Sequence, residues 1–166
     1  MKKTTILPVS SLAMAVSATI GFASSVEAQH IACPQTLDVG RHVSCSSGSL
    51  RINPDGTVSP SGCLLTEAEP LPGVCYISTT APITRDVTVT FPATFINLTN
   101  GMGQTVRLDR LRMQNRAGGP PSPNLLLDRT DVSNTVTIDI GGDLSFSDNQ
   151  SVGNYSGSLA VSATLD

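Results

Sequence analysis

Four cysteines, Cys33, Cys45, Cys63 and Cys75, are the residues of this chain best suited to covalent chemistry. At least 11 residues separate each from the next, whereas structural zinc ligands come in pairs about two to four residues apart. An even count at long spacing reads instead as two disulfides made in an oxidising compartment. The turn Asn53-Pro54-Asp55-Gly56 bears on the pairing, since Pro presets the second turn position and Gly accepts positive φ. Residues 49–52 and 57–59 read as hairpin arms on either side of it. Cys45 and Cys63 stand nearly equidistant from that turn, and so do Cys33 and Cys75. The nested pattern, Cys45–Cys63 inside Cys33–Cys75, is favoured, because bridged Cα atoms must lie within about 7 Å. The sequential pattern, Cys33–Cys45 with Cys63–Cys75, stays open.

Other chemistry is sparse. His30 and His42 are the only histidines, and no serine stands in a G-x-S-x-G elbow, so both read as solvent-facing loop residues. Asp139, Asp143 and Asp148 alternate with glycines, but their spacing fits no EF-hand and suits turns equally well. No metal set or cofactor motif emerges, and the chain reads as a non-enzyme. Arg107, Arg110, Arg112 and Arg116 form the one basic cluster. It fits either a solvated strand face balanced by Asp109 and nearby acids, or a patch for an anionic ligand such as lipopolysaccharide or an acidic glycan.

The N-terminal stretch explains the compartment. Lys2 and Lys3, a diluted apolar run over residues 6–22, and the small residues Val26 and Ala28 make the three parts of a cleaved export signal. Residues 1–28 are therefore expected to be removed, leaving one domain over residues 29–166. The apolar run lacks the ~20 strongly apolar residues of a membrane span, and no transmembrane segment is expected in the mature chain. After cleavage eight arginines face twelve acids, a net charge of −4, which disfavours nucleic acid as partner. No lysine remains, which excludes Schiff-base catalysis and lysine-linked crosslinks. Only Tyr76, Phe91, Phe95, Phe146 and Tyr155 supply aromatic rings, so the core must be mainly Val, Ile and Leu, as suits strands.

The elements that must position these residues are strands. Helical periodicity is nearly absent, and alternating runs recur between Gly, Pro, Asn and Asp clusters. Residues 37–39, 75–79, 86–91, 95–98, 125–127, 134–140 and 144–146 read as short strands, and residues 117–124 as a loop. Asp139 falls on the outward face of its run. In residues 106–113 the phase slips, with Val106 and Leu108 on one face and Leu111 and Met113 on the other. A bulge near Asp109-Arg110 reconciles them. Residues 155–165 place Tyr155, Leu159, Val161, Ala163 and Leu165 on one face of a long final strand. About nine short strands imply an all-β, immunoglobulin-like (pilin-like) antiparallel β-sandwich.

Residues 140–162, IGGDLSFSDNQSVGNYSGSLAVS, resemble the end of an exported bacterial family, the domain-of-unknown-function family 4402. The matching positions are Gly141, Gly142, Leu144, Asn149, Gln150, Gly153, Tyr155 and Gly157. Leu37-Asp38-Val39-Gly40 and the Pro-Asp-Gly hairpin are similar to the family's opening. That family is similar in turn to chaperone–usher pilins, which implies a fimbrial or adhesive surface subunit. Its implied partners are like subunits or a periplasmic chaperone and usher. A donor-strand pilin also needs a free arm of ten or more residues, and here residues 29–36 contain Cys33 and Pro34. Within the motif, Gly153 is suited to a positive-φ turn and Tyr155 to an edge position with its hydroxyl near water. The rival reading is a stand-alone secreted module that binds a glycan or lipid.

Overall fold

The computed structural model describes residues 29–79, 85–132, 134–148, 150 and 153–165, with the backbone path alone at 29, 41–46, 63–67 and 153. The expected export signal, residues 1–28, lies outside them. Eleven strands appear among the described residues, against about nine expected, together with one helical turn, α1 (Arg129–Val132). They form two antiparallel sheets that pack as a β-sandwich.

The larger sheet is organised on two long strands, β7 (Thr105–Asn115) and β9 (Val136–Phe146). The first half of β9 pairs with β4 (Gly73–Thr79), which pairs with β1 (Gln29–Gln35). Its second half pairs with β2 (Arg41–Ile52), which carries β3 (Val58–Ala68) and the short β10 (Gly153–Asn154). β6 (Ile96–Thr99) borders β7. In the smaller sheet, β5 (Val87–Thr90) lies between β8 (Asn124–Leu127) and β11 (Ser162–Leu165).

Alternation decides which face each strand buries. Val87 and Val89 of the smaller sheet meet Ile77, Ile138 and Met113 of the larger one in a first core cluster. A second cluster joins Leu50 and Ile52 to Leu98, Leu108, Leu144 and Tyr155. The expected bulge is present. Asp109 pairs with Asp143 and Arg112 with Gly141, leaving Arg110 and Leu111 opposite one residue. Arg110 takes φ 45°, and the phase shift returns Leu111 and Met113 to the buried face shared by Val106 and Leu108.

Several boundaries differ from expectation. The runs expected at residues 134–140 and 144–146 merge into one strand, β9, which starts at Val136, because Gly141 and Gly142 continue the ladder. Residues 37–39 form only an isolated bridge, Asp38 to Leu71. Residues 155–165 are not one strand. Ser156 bridges to Thr99 of the larger sheet, residues 157–161 cross the gap, and β11 then pairs with β5.

Candidate functional site

Cys33 and Cys75 are disulfide-bonded and join β1 to β4. This is the outer bridge of the nested pattern and excludes the sequential one. Closing a chain separation of 42 residues contributes about 4 kcal/mol in the chain-entropy picture. The side chains of Cys45 and Cys63 lie outside the described residues. Their backbones adjoin the pair Ser44–Leu64, where the β2–β3 register shifts. The N-terminal arm is therefore already a strand of its own sheet, fixed there by Cys33.

Of the four expected arginines, Arg110 and Arg112 of β7 and Arg116 just past its end meet two aspartates of β9, and Arg107 meets Asp109 of β7 itself. Arg112 and Arg51 both bond Asp143, Arg51 doing so bidentately at 3.1 Å for each contact, and Arg110 lies 3.5 Å from the same carboxylate. Arg116 pairs instead with Asp139, through Nε at 3.0 Å and through a second guanidinium nitrogen. Arg107 reaches Asp109 at 3.4 Å and lies over the Phe95 ring, 4.1 Å from its centre. Asp143 and Asp139 are buried, so the outward orientation expected for Asp139 holds for the sheet face but not for exposure, because Arg116 covers it. Hydrogen bonds to these carboxylates raise the pKa of the Arg51 and Arg116 guanidiniums. The spacing of residues 106–116 did not reveal Arg51. Only its outward position between buried Leu50 and Ile52 hinted at a role, and its ladder partner Asp143 is 92 residues away.

His30 is exposed, and the His42 side chain lies outside the described residues. Among the described residues, no three His, Cys, Asp or Glu side chains are grouped to hold a metal ion.

The C-terminal motif residues have separate tasks. A Cβ on Gly141 would overlap the Ile52 carbonyl oxygen and crowd Asn53 and Pro54. One on Gly142 would meet Leu108 Cδ1 at 2.8 Å. Leu144 is fully buried. Gln150 donates to the Thr105 carbonyl and accepts from the Ser147 N–H at 2.9 Å, tying the loop after β9 to the start of β7. Gly153 pairs with His42 within β10, and Asn149 lies outside the described residues. Tyr155 departs from expectation. Its ring is buried, its hydroxyl bonds Asn100, and burial pushes its pKa up while that hydrogen bond lowers it. Asn100 is itself buried and accepts from the backbone N–H groups of Met102 and Gln104, so Tyr155 fastens the β6–β7 turn.

Between the two core clusters lies an apolar cleft of about 220 Å³, lined by Leu37, Val39, Leu98, Ile140, Leu159 and Val161 among others. Cys33 and Cys75 are among its lining residues. Of residues 157–161, Gly157, Ser158, Leu159 and Val161 also line it, Leu159 and Val161 being half-buried. Among the described residues, this stretch pairs with no strand.

These features define an all-β protein: two antiparallel sheets, a disulfide at one edge, an arginine-covered outer face and an apolar cleft between the core clusters. Among the described residues, no helix is long and apolar enough to cross a membrane. The chain belongs to the family described as Domain of unknown function (DUF4402), whose model matches residues 30–164. No curated protein and no solved structure matches it.

Proposed function

We propose that this domain is an exported, non-enzymatic surface subunit of fimbrial or adhesive type that receives an extended segment of another exported chain. The observation carrying this reading is the cleft beside residues 157–161, where apolar side chains line a groove next to backbone that, among the described residues, pairs with no strand. An added strand would find main-chain hydrogen bonds along that stretch and apolar pockets for alternate side chains. The Cys33–Cys75 bridge supports export to an oxidising compartment, consistent with the signal-like residues 1–28. The candidate occupants are like subunits, or a periplasmic chaperone and usher that deliver the protein to the surface. The N-terminal arm is the less suitable donor, because β1 is paired within its own sheet and disulfide-bonded.

The test is to shear surface material from cells producing the full chain and compare its mobility in detergent gels with and without heating. The expected result is high-mass species that collapse to monomer only on heating. Leu159→Ser, which replaces an apolar side chain of the cleft lining with a small polar one, should lower their yield while the secreted protein keeps its β-sheet circular dichroism. Recovery of monomer alone from unheated material would sink the reading.

A further inference from the structure

The outer face of β7 and β9 carries more positive charge than its own carboxylates compensate. Arg51, Arg110 and Arg112 converge on the single carboxylate of Asp143, and Arg107 pairs with Asp109 beside it. Four guanidiniums thus share two carboxylates, in a domain whose residues 29–166 sum to −4. Arg112 is mostly covered, with 18% of its side chain exposed, and its charge is spent on Asp143. The other three face solvent, with side-chain exposures of 46% for Arg51, 55% for Arg107 and 72% for Arg110.

The surface around them is concave. One hollow of about 240 Å³ is lined by Arg51, Arg110, the serines Ser49, Ser59, Ser61 and Ser145, and Asp143, whose carboxylate is already engaged by Arg51 and Arg112. A second, of about 510 Å³, is lined by Arg107, Arg110, Thr94 and Asn124. Both include Asp109 and Arg110, so they adjoin there. Arg110 stands at that junction because the bulge holds it at φ 45°, the only positive φ of a non-glycine residue among the described residues. Such a backbone is strained for a non-glycine residue and persists where the surroundings impose it.

We propose that these adjoining hollows bind an acidic oligosaccharide bearing carboxylate groups, with Arg51, Arg107 and Arg110 contacting its charges and the serine hydroxyls its sugar oxygens. Two linked hollows suit consecutive units of a chain better than a single small anion. A guanidinium fork matches a carboxylate in plane, as the Arg51–Asp143 pair on this same face illustrates. The inference is independent of strand pairing at the cleft, since the two surfaces use different residues.

The probe is a tetramer of galacturonic acid, titrated calorimetrically into the exported protein, with a neutral galactose tetramer of equal length as control. The acidic tetramer should bind with an affinity that falls as salt rises, and the neutral one should not. Arg110→Gly relieves the backbone strain while removing the charge, so it should leave unfolding unchanged or improved and weaken binding at least tenfold. Arg51→Ser combined with Arg110→Gly should abolish binding. Equal binding of the two tetramers, unchanged affinity in both variants, or binding to phosphatidylglycerol vesicles without binding to the acidic tetramer would each overturn the proposal.

Discussion

Two glycine-marked stretches of the C-terminal motif, residues 141–144 and 153–161, differ in almost every physical respect. The first lies inside β9, is paired on both sides and is buried throughout. The second has two ladder pairs, one bridge and then five residues outside any strand. Glycine is needed in the first because a neighbouring backbone occupies the space of a side chain. A Cβ on Gly141 would overlap the Ile52 carbonyl oxygen, which cannot move without shifting the end of β2. In the second, the nearest atom a Cβ on Gly157 would meet is the tip of Leu98 at 2.8 Å, the far end of a flexible side chain, while the nearest backbone atom, the Asn97 carbonyl oxygen, stands at 3.2 Å. The same residue type thus protects the fold in one place and shapes an accessible groove in the other.

The largest effect should come from testing that contrast directly. Gly141→Ala forces a backbone shift in a close-packed region and should cost about 3 kcal/mol or more, above the usual range for overpacking because no side chain can yield. Gly157→Ala should change stability by about 0.5 kcal/mol or less, since the small displacement of Leu98 is offset by lower entropy of the unfolded chain. Urea unfolding of the two variants measures this. Equal midpoints would erase the distinction between the two stretches.

A smaller effect is expected at Tyr155, which anchors the second stretch. Tyr155→Phe removes the hydrogen bond to Asn100 and should cost about 1 kcal/mol. It also has a pH signature. Burial raises the folded-state pKa, so the phenol's contribution is fully present below the unfolded value near 10 and is lost as pH rises through the folded one. The wild-type protein should therefore lose stability at alkaline pH by a component that the Phe variant lacks. Parallel urea curves at neutral and alkaline pH distinguish the two, and identical alkaline losses would remove Tyr155 from this role.

How far the sequence revealed this arrangement depended on whether the cause was local. The slip between Leu108 and Leu111 is a local break in period, and it marks the bulge without reference to any partner strand. The hairpin at Pro54-Asp55-Gly56 and the nesting of Cys33 and Cys75 around it follow from turn chemistry and chain symmetry. Arg51 and Asp143 meet only because β2 and β9 pair across 92 residues, which no spacing within either strand reveals. The final segment misled for the opposite reason. Its alternation from Tyr155 to Leu165 is real on the buried side, yet the strand is broken because the chain changes sheets between Ser156 and Ser162. Alternation reports which side is buried; it does not report which strand supplies the hydrogen bonds.

The smallest effect belongs to the turn against which Gly141 packs, since a Cβ there would also crowd Asn53 and Pro54. Asp55 accepts from the Thr57 hydroxyl at 2.6 Å and from the Thr57 N–H at 2.9 Å, and Asn53 donates to the same hydroxyl at 2.9 Å. The two bonds from Thr57, the hydroxyl's first, hold the Asp55 carboxyl below its ordinary pKa although it is fully exposed. A depressed folded pKa means the contribution is present above the unfolded value near 4 and is lost as pH falls through the folded one. Thr57→Val removes the hydroxyl while leaving the N–H, so the Asp55 titration followed by carboxyl NMR should move upward toward the ordinary value. The Ile52 and Gly141 amide signals should change with that titration in the wild-type protein if the turn and β9 are mechanically joined, and stay constant if the glycine merely lies nearby. An Asp55 titration unmoved by Thr57→Val would remove the hydroxyl from the account, and the packing of Gly141 would then stand on sterics alone.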